Sequence, residues 1–425
     1  MFNTDERKER VLLVAVHEGD GTEEYLDELS LLADTAGAED VGRVLQKREA
    51  RHPGHYLGKG KLDEVRALAD ETGADAVVAD DELSASQQRN MAERLGIKVL
   101  DRTMLILDIF AQRALTAEGK AQVELAQLKY RLSHLAGIGI NLSRQAGTAS
   151  HGGVGNRGPG EKKLETDRRH IRNRIDQLSR ELKEIRENRN LHRKKRERAG
   201  IPVVALVGYT NAGKSTLMNA LTSAGVLAED KLFATLDTTT RKTELPGGSE
   251  ILFTDTVGFI SKLPHHLIQA FRATLEELKY ADILLHVVDF SSENAREQMT
   301  IVLETLAELE CADKPIITVL NKADIAKSPQ ERDTPAPDQA VQNTVSISAL
   351  TGENLPKLLE SVESVLLSLR SKLTVLLPYD KGSLLSQIYS SCKIIVNENR
   401  EDGTYLEVYA TQEIAGKVHE YILRE

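Results

Sequence analysis

Tryptophan is absent from this chain, and aromatic residues make up only 4% of its 425 positions. Cysteine occurs twice, at Cys311 and Cys392, too far apart in sequence and too few for a disulfide framework or a Cys-rich zinc site. No apolar run approaches the length of a membrane span, so membrane insertion is not expected. The N-terminal stretch is charged (Asp5, Glu6, Arg7, Lys8), and its apolar run Val11 to Val16 is too short for a secretory leader. A cytoplasmic, monomeric protein is the expectation. The 40% apolar content suffices for ordinary cores, and the length suggests about three domains. A net charge of −10 argues against a nucleic-acid partner for the chain as a whole, but that average hides a strong local asymmetry.

What is present is more specific. Gly208-Tyr209-Thr210-Asn211-Ala212-Gly213-Lys214-Ser215 fits the phosphate-loop pattern GxxxxGK(S/T). The apolar run Val203 to Val207 before it reads as a buried parallel strand, and Thr216 to Leu221 after it as the start of a helix. Glycines let backbone N–H groups converge on a polyphosphate beside a positive helix N-terminus. Lys214 would reach the β- and γ-phosphates, and the Ser215 hydroxyl would ligate Mg²⁺. An accidental match in a chain of this composition has odds of about one or two in a hundred.

Three further segments follow in a fixed order. Ile251 to Thr254 reads as a strand delivering Asp255-Thr256-Val257-Gly258, where the aspartate can hold Mg²⁺ through water and the Gly258 N–H can sense a γ-phosphate. Ile283 to Val288 and Ile316 to Leu320 read as strands of a parallel sheet, the second ending at Asn321-Lys322-Ala323-Asp324. A carboxylate at Asp324 accepts both the N1–H and the N2 amino hydrogens of guanine, a donor pair that adenine lacks. The strand Thr344 to Ile347 leads to Ser348-Ala349-Leu350, whose backbone N–H would meet guanine O6. Each tetrapeptide alone is weak. Together, in one order and each at a strand's carboxyl end, they specify a site for GTP and GDP.

Between Leu227 and Lys242 lies a candidate switch in which one threonine should bind Mg²⁺ and the γ-phosphate. Thr235 is favoured because Phe-Ala-Thr-Leu resembles a segment of Obg-like GTPases, and Thr239 is the second choice. Phe259 stands where Ras-like GTPases carry a water-orienting glutamine. A phenyl ring cannot hydrogen-bond water, so slow unstimulated hydrolysis is expected, with a partner completing the site. Asn211 is either a simple accommodation of loop geometry or a K⁺ ligand that supplies catalytic charge.

The chain before Ile201 is not GTPase-like. Residues 1–110 alternate strand and helix patterns and read as a small α/β domain. Within it, Gly58-Lys59-Gly60-Lys61 is a basic glycine turn without the third glycine of a dinucleotide fingerprint, better read as a plain loop-to-helix connection. Residues 111–198 read as a helical hairpin. Leu125, Leu128, Leu132 and Leu135 face Leu164, Ile171, Ile175, Leu178, Leu182 and Ile185, an a/d seam about three heptads long. The connection 137–160 holds eight glycines and reads as a tip loop. From Arg157 to Arg198 there are sixteen Lys/Arg against eight Asp/Glu, densest at Arg193, Lys194, Lys195, Arg196 and Arg198. Such an excess exceeds what i,i+4 pairing requires and favours phosphate-backbone binding. The only aromatic residue of the hairpin is Tyr130, so docking on structured RNA fits better than base stacking. Residues 201–370 read as a GTPase domain and 371–425 as a β-α-β-β-α appendage, giving an expected α/β protein with a small α+β end.

With the GTPase motifs, Gly58 to Lys61, Gly152 to Glu161, Leu164 to Arg169 and Phe233 to Asp237 resemble the HflX family of GTPases over essentially the whole chain. Thr238 departs from the proline of many members, and Lys162-Lys163 from a common Thr-Gln. The resemblance implies a factor that binds the large ribosomal subunit (its rRNA) in the GTP form, reaches toward the peptidyl-transferase region with its hairpin, and dissociates stalled or stressed ribosomes. Arg144, Arg157, Lys162 and Lys163 at the tip and the cluster Arg193 to Arg198 are the expected RNA contacts. The competing reading is a GTP-dependent protein-interaction switch that docks through the hairpin without RNA.

Overall fold

The computed structural model describes residues 7–17, 23–146, 159–199, 201–222, 232–262, 264, 267, 276–325, 343–410 and 412–423. The chain divides into two compact units: Met1–Ile185 with Lys231–Leu236 and Lys262–Arg272, and Arg186–Asp230 with Asp237–Ser261 and Ala273–Glu425.

The first unit opens with β1 (Arg10–His17), whose run Val-Leu-Leu-Val-Ala-Val is buried throughout because both faces of a parallel strand are covered. With β2 (Glu39–Lys47), β3 (Ala76–Ala79) and β4 (Lys98–Asp101) it forms a parallel sheet of order β2-β1-β3-β4. Helices α1 (Asp27–Ala36), α2 (Lys59–Thr72) and α3 (Ala85–Leu95) connect the strands, and α4 (Arg102–Arg113) follows β4. Gly58 caps α2 and donates its N–H to Gln46, and Lys61 pairs with Glu64, so the basic glycine turn is a connection to a helix. Two aspartates after β3 anchor a buried polar network. Asp80 pairs with Arg102 at 2.7 Å, each side chain 3% exposed. Asp81 accepts from the Tyr56 hydroxyl at 2.7 Å, which itself accepts from the Val16 N–H. Burial, reinforced by Asp81, holds that phenol well above its ordinary pKa. Lys262 belongs to this unit too, paired with Asp80 and lying 3.2 Å from Asp81.

Helix α5 (Ala117–Ala146) and helix α6 (Pro159–Ala199) make the hairpin. Ala121, Leu125 and Leu128 pack against Ile175, Leu178 and Leu182, so five residues of the expected seam meet across the hairpin, joined by Ala121. Arg174 grips Glu124 with two bonds of 2.7 and 2.8 Å. The tip loop read over 137–160 needs correction. Helix continues to Ala146 and resumes at Pro159. Gly137 and Gly139 each cost about 1 kcal/mol in a helix, but extending a packed helix adds a backbone bond per residue without a new nucleus. Pro159 suits a first helical position, where its missing N–H has no intrahelical partner anyway.

The second unit holds a six-stranded sheet of order β10-β9-β8-β5-β7-β6. Its strands are β5 (Val203–Gly208), β6 (Thr239–Glu244), β7 (Glu250–Asp255), β8 (Ile283–Asp289), β9 (Ile316–Asn321) and β10 (Thr344–Ser346). Only β6, at one edge, runs antiparallel to its neighbour. Helices α7 (Lys214–Thr222), α8 (Ala295–Glu308) and α9 (Leu355–Ser368) accompany it, and its core joins Val204, Leu206, Phe253, Leu285 and Val319 to Leu217 and Leu358. A three-stranded antiparallel sheet of β11 (Ser371–Leu377), β12 (Lys393–Arg400) and β13 (Gly403–Ala410), in order β11-β13-β12, ends the chain with helices α10 (Gly382–Ser391) and α11 (Gln412–Val418). A 3₁₀ turn at His419–Tyr421 follows α11 directly.

Candidate guanine-nucleotide site

The site is assembled at the carboxyl ends of β5, β7, β8 and β9, where open α/β sheets hold ligands. Gly208 ends β5 so close to β8 that a Cβ there would lie 2.2 Å from the Val287 carbonyl oxygen. Gly213 has φ +90, and a Cβ there would lie 2.2 Å from Asn321 Nδ2. Both glycines of the motif are thus demanded by sterics. Asn211, between them, takes the left-handed conformation at φ 62, which asparagine tolerates.

Lys214 opens α7 and is buried, its ammonium donating to the carbonyls of Gly208 (3.1 Å) and Tyr209 (2.8 Å). Burial pulls its pKa down to about 8, against the opposing attraction of Asp255. His286, on β8, is also buried, and burial with repulsion from Lys214 pushes its pKa to about 4, so it is neutral at physiological pH. Ser215 donates to Asp255 Oδ2 at 2.9 Å. These are adjacent oxygen donors with Asp255 fully buried, the ligand chemistry that Mg²⁺ requires. Thr216 is half-buried on the first turn of α7. Gly258 presses on the loop: a Cβ there would lie 2.9 Å from Thr210 Cα and 3.0 Å from Lys214 Nζ.

Asn321 is the cross-tie between the two ends of the site. Its amide donates to the Ala212 carbonyl and its oxygen accepts the Ala349 N–H, both at 2.9 Å. Lys322, at φ 65, pairs with Asp289 at 2.6 Å, and the Ala323 N–H donates to Ile347. Asp324 projects from this fixed frame and is exposed. Ser348 is buried and caps Thr351, while Leu350 is 78% exposed. Loop 208–216, Asp255, Gly258, Asn321 and Ala349 therefore share one site.

Thr235 is half-buried within the first unit, beside buried Leu232, Phe233 and Leu236, and the Phe233 ring meets Phe110 edge-on at 4.8 Å. Thr239, the second choice, pairs with Asp255 across β6 and β7. Arg144, Lys162, Lys163, Arg193, Lys194, Lys195, Arg196 and Arg198 lie on the backbone of α5 and α6, and Arg157 lies outside the described residues. Two contributions were not anticipated: Asp289, which the register places opposite Asn321, and the Tyr209 hydroxyl, which no motif marks.

A parallel sheet with a phosphate loop after its first strand and Asn-Lys-x-Asp after its fifth defines a P-loop GTPase. Residues 203–322 match the family model described as "50S ribosome-binding GTPase". Residues 23–111 and 113–196 match models for a GTP-binding GTPase N-terminal region and middle region, and 337–419 match the HflX C-terminal domain. The chain is 51% identical over 97% of its length, and 96% of the relative's, to GTPase HflX of Lacrimispora saccharolytica. It is 41% identical to GTPase HflX of Escherichia coli (strain K12) over 95% of this chain and 94% of that one. Among solved structures, a complex of a protein called SsGBP with GDP matches at TM-score 0.46 and 26% identity, covering 84% of this chain and 98% of that one. The chain belongs to the HflX family of GTPases. It hydrolyses GTP to GDP and phosphate, and among the described residues no helix is long and apolar enough to cross a membrane.

Proposed function

We propose that this chain binds the large ribosomal subunit in its GTP form, that the subunit stimulates its hydrolysis, and that the cycle dissociates stalled or stressed ribosomes. The observation that carries the reading is the cationic excess of residues 157–198, sixteen Lys/Arg against eight Asp/Glu, on a chain whose total is −10. All but the first two of these positions belong to the single helix α6. The description of the family model matched by residues 203–322 points the same way. In the coiled-coil alternative the leucine seam would be the docking face. That seam is already spent within the chain, with Leu178 1% exposed against Ala121 and Leu125, which favours RNA over a partner helix.

In hydrolysis, water attacks the γ-phosphorus, the bond to the β–γ bridging oxygen breaks, and GDP and phosphate leave with the water's protons. Lys214 would neutralise charge on the β- and γ-phosphates, and the Gly258 N–H would hold a γ-oxygen. Ser215, Asp255 (through water) and Thr235 would hold Mg²⁺, which supplies charge neutralisation at the phosphates when bound. Phe259 is 2% exposed and offers no polar side chain to a water, so the unaided enzyme should be slow.

Turnover measured with and without large subunits tests the proposal. At least tenfold stimulation is expected, with co-sedimentation in a non-hydrolysable GTP analogue falling steeply with log[salt]. No stimulation together with no co-sedimentation would overturn it, and weak salt dependence would favour protein docking. Asn211 bears on a separate test. If it binds K⁺ during hydrolysis, turnover should be faster in KCl than in NaCl at matched ionic strength, and equal rates would remove that role.

A further inference from the structure

Tyr209 occupies a position that the phosphate-loop pattern leaves free, yet its hydroxyl makes a contact outside the loop. The segment after Asp255 runs back along the loop as a short parallel bridge between Tyr209 and Phe259. Two of its bonds come from backbone alone. The Phe259 N–H donates to the Gly208 carbonyl at 3.1 Å, and the Thr210 N–H donates to the Phe259 carbonyl at 2.7 Å. Any residue at position 209 allows these. The third is different: the Ser261 N–H donates to the Tyr209 hydroxyl at 2.8 Å, two residues beyond the bridge. At the next residue, Lys262, the chain turns into the left-handed region at φ 52. The hydroxyl thus fixes the last point before the chain turns away. Tyr209 is 6% exposed, so water does not readily replace it as the acceptor.

We propose that the Tyr209 hydroxyl positions the Gly258–Ser261 segment for recognition of the γ-phosphate. Gly258 sits over Lys214 with no room for a side chain, and Phe259 contributes only backbone polar groups at this point. Discrimination between GTP and GDP then depends on where the backbone of this segment is held. Two main-chain bonds set its register, and Tyr209 clamps its far end. GDP lacks the phosphate that Gly258 would meet, so its affinity should not depend on the clamp. The proposal rests on the GTP reading of the site, and retained GDP binding separates its failure from a failure of that reading.

Tyr209→Phe removes one oxygen atom and keeps the ring. In the full-length variant, affinity for a non-hydrolysable GTP analogue should fall about tenfold, and turnover at saturating GTP by a similar factor. GDP affinity should stay within about twofold of the parent value. Hydrogen exchange at the Ser261 amide should accelerate in the variant, since its acceptor is gone. A hydroxyl with a merely structural role would lower GDP and GTP-analogue affinity alike. That outcome, an unchanged ratio of the two affinities, or a rise in the preference for the GTP analogue would each overturn the proposal.

Discussion

Replacing Lys214 by alanine is expected to weaken GTP binding about a hundredfold to a thousandfold and to bring turnover to background. A buried ammonium supplies charge-assisted bonds worth about 1.5–3 kcal/mol each, and two phosphates would each lose one. In the structure that ammonium bonds the Gly208 and Tyr209 carbonyls, so in alanine's place two loop acceptors lose their donor as well. The pH dependence carries a second signature. Burial has lowered the Lys214 pKa to about 8, and a polyphosphate stabilises the protonated form and raises it again. Nucleotide binding then takes up a proton from solution above pH 8, and affinity should fall as pH rises past that value. The effect on folding has the opposite sign: the unfolded chain holds this proton up to about pH 10.5, so the group's cost to stability lessens as pH rises from 8. Titration of a fluorescent GTP analogue between pH 7 and 9.5, on the parent and on Lys214→Ala, checks the affinity and its pH dependence. Parent-like affinity in Lys214→Ala would remove the lysine from the site, and an unchanged pH profile in that variant would assign the pH effect elsewhere.

The nucleotide site was legible because its residues are dictated locally. Gly208 and Gly213 are glycines for steric reasons, and Asp255, Asn321 and Ser348 stand at the ends of apolar strands whose alternation with helices is plain in the sequence. The elements of the C-terminal appendage, with β13 alternating buried Leu406, Val408 and Ala410 with half-buried Tyr405, Glu407 and Tyr409, were equally readable. What failed depends on competition between local preference and context. Eight glycines in 137–160 signalled a loop, yet α5 extends through two of them, because each added residue needs only to outweigh about 1 kcal/mol once the helix exists. Polar groups that act at a distance were also hidden. The Tyr209 hydroxyl and Asp289 reach Ser261 and Lys322, partners 52 and 33 positions along the chain, and no spacing rule relates them. Likewise, the packing of Phe233 on Phe110 and of Lys262 on Asp80 within the first unit follows from the folded chain and from no motif.

Asp324→Asn is expected to change which base the site accepts. Asp324 stands on a backbone held at three points: Asn321 through its two amide bonds, Lys322 through Asp289, and Ala323 through the Ile347 carbonyl. The substitution therefore alters chemistry at one atom pair and leaves the frame in place. Two carboxylate oxygens would accept from guanine N1–H and N2–H. In asparagine one of them becomes an NH₂ donor, which meets a donor on guanine. Losing one charge-assisted bond and burying a donor against a donor should cost about 4 kcal/mol, close to a thousandfold in GTP affinity. Xanthine carries an oxygen where guanine carries the amino group, so the same NH₂ finds an acceptor and the N1–H keeps one. The affinity for XTP should rise as that for GTP falls, and the order of the two should invert. Because the exposed Asp324 supports no other contact among those described, the melting temperature should move by no more than about 2 °C. Competition of GTP and XTP against a fluorescent GDP analogue, run on both proteins, gives the ratio directly. A variant that still prefers GTP by the parent factor would show that Asp324 does not read the base, whereas equal loss for both nucleotides would point to damage of the Asn321 cross-tie instead.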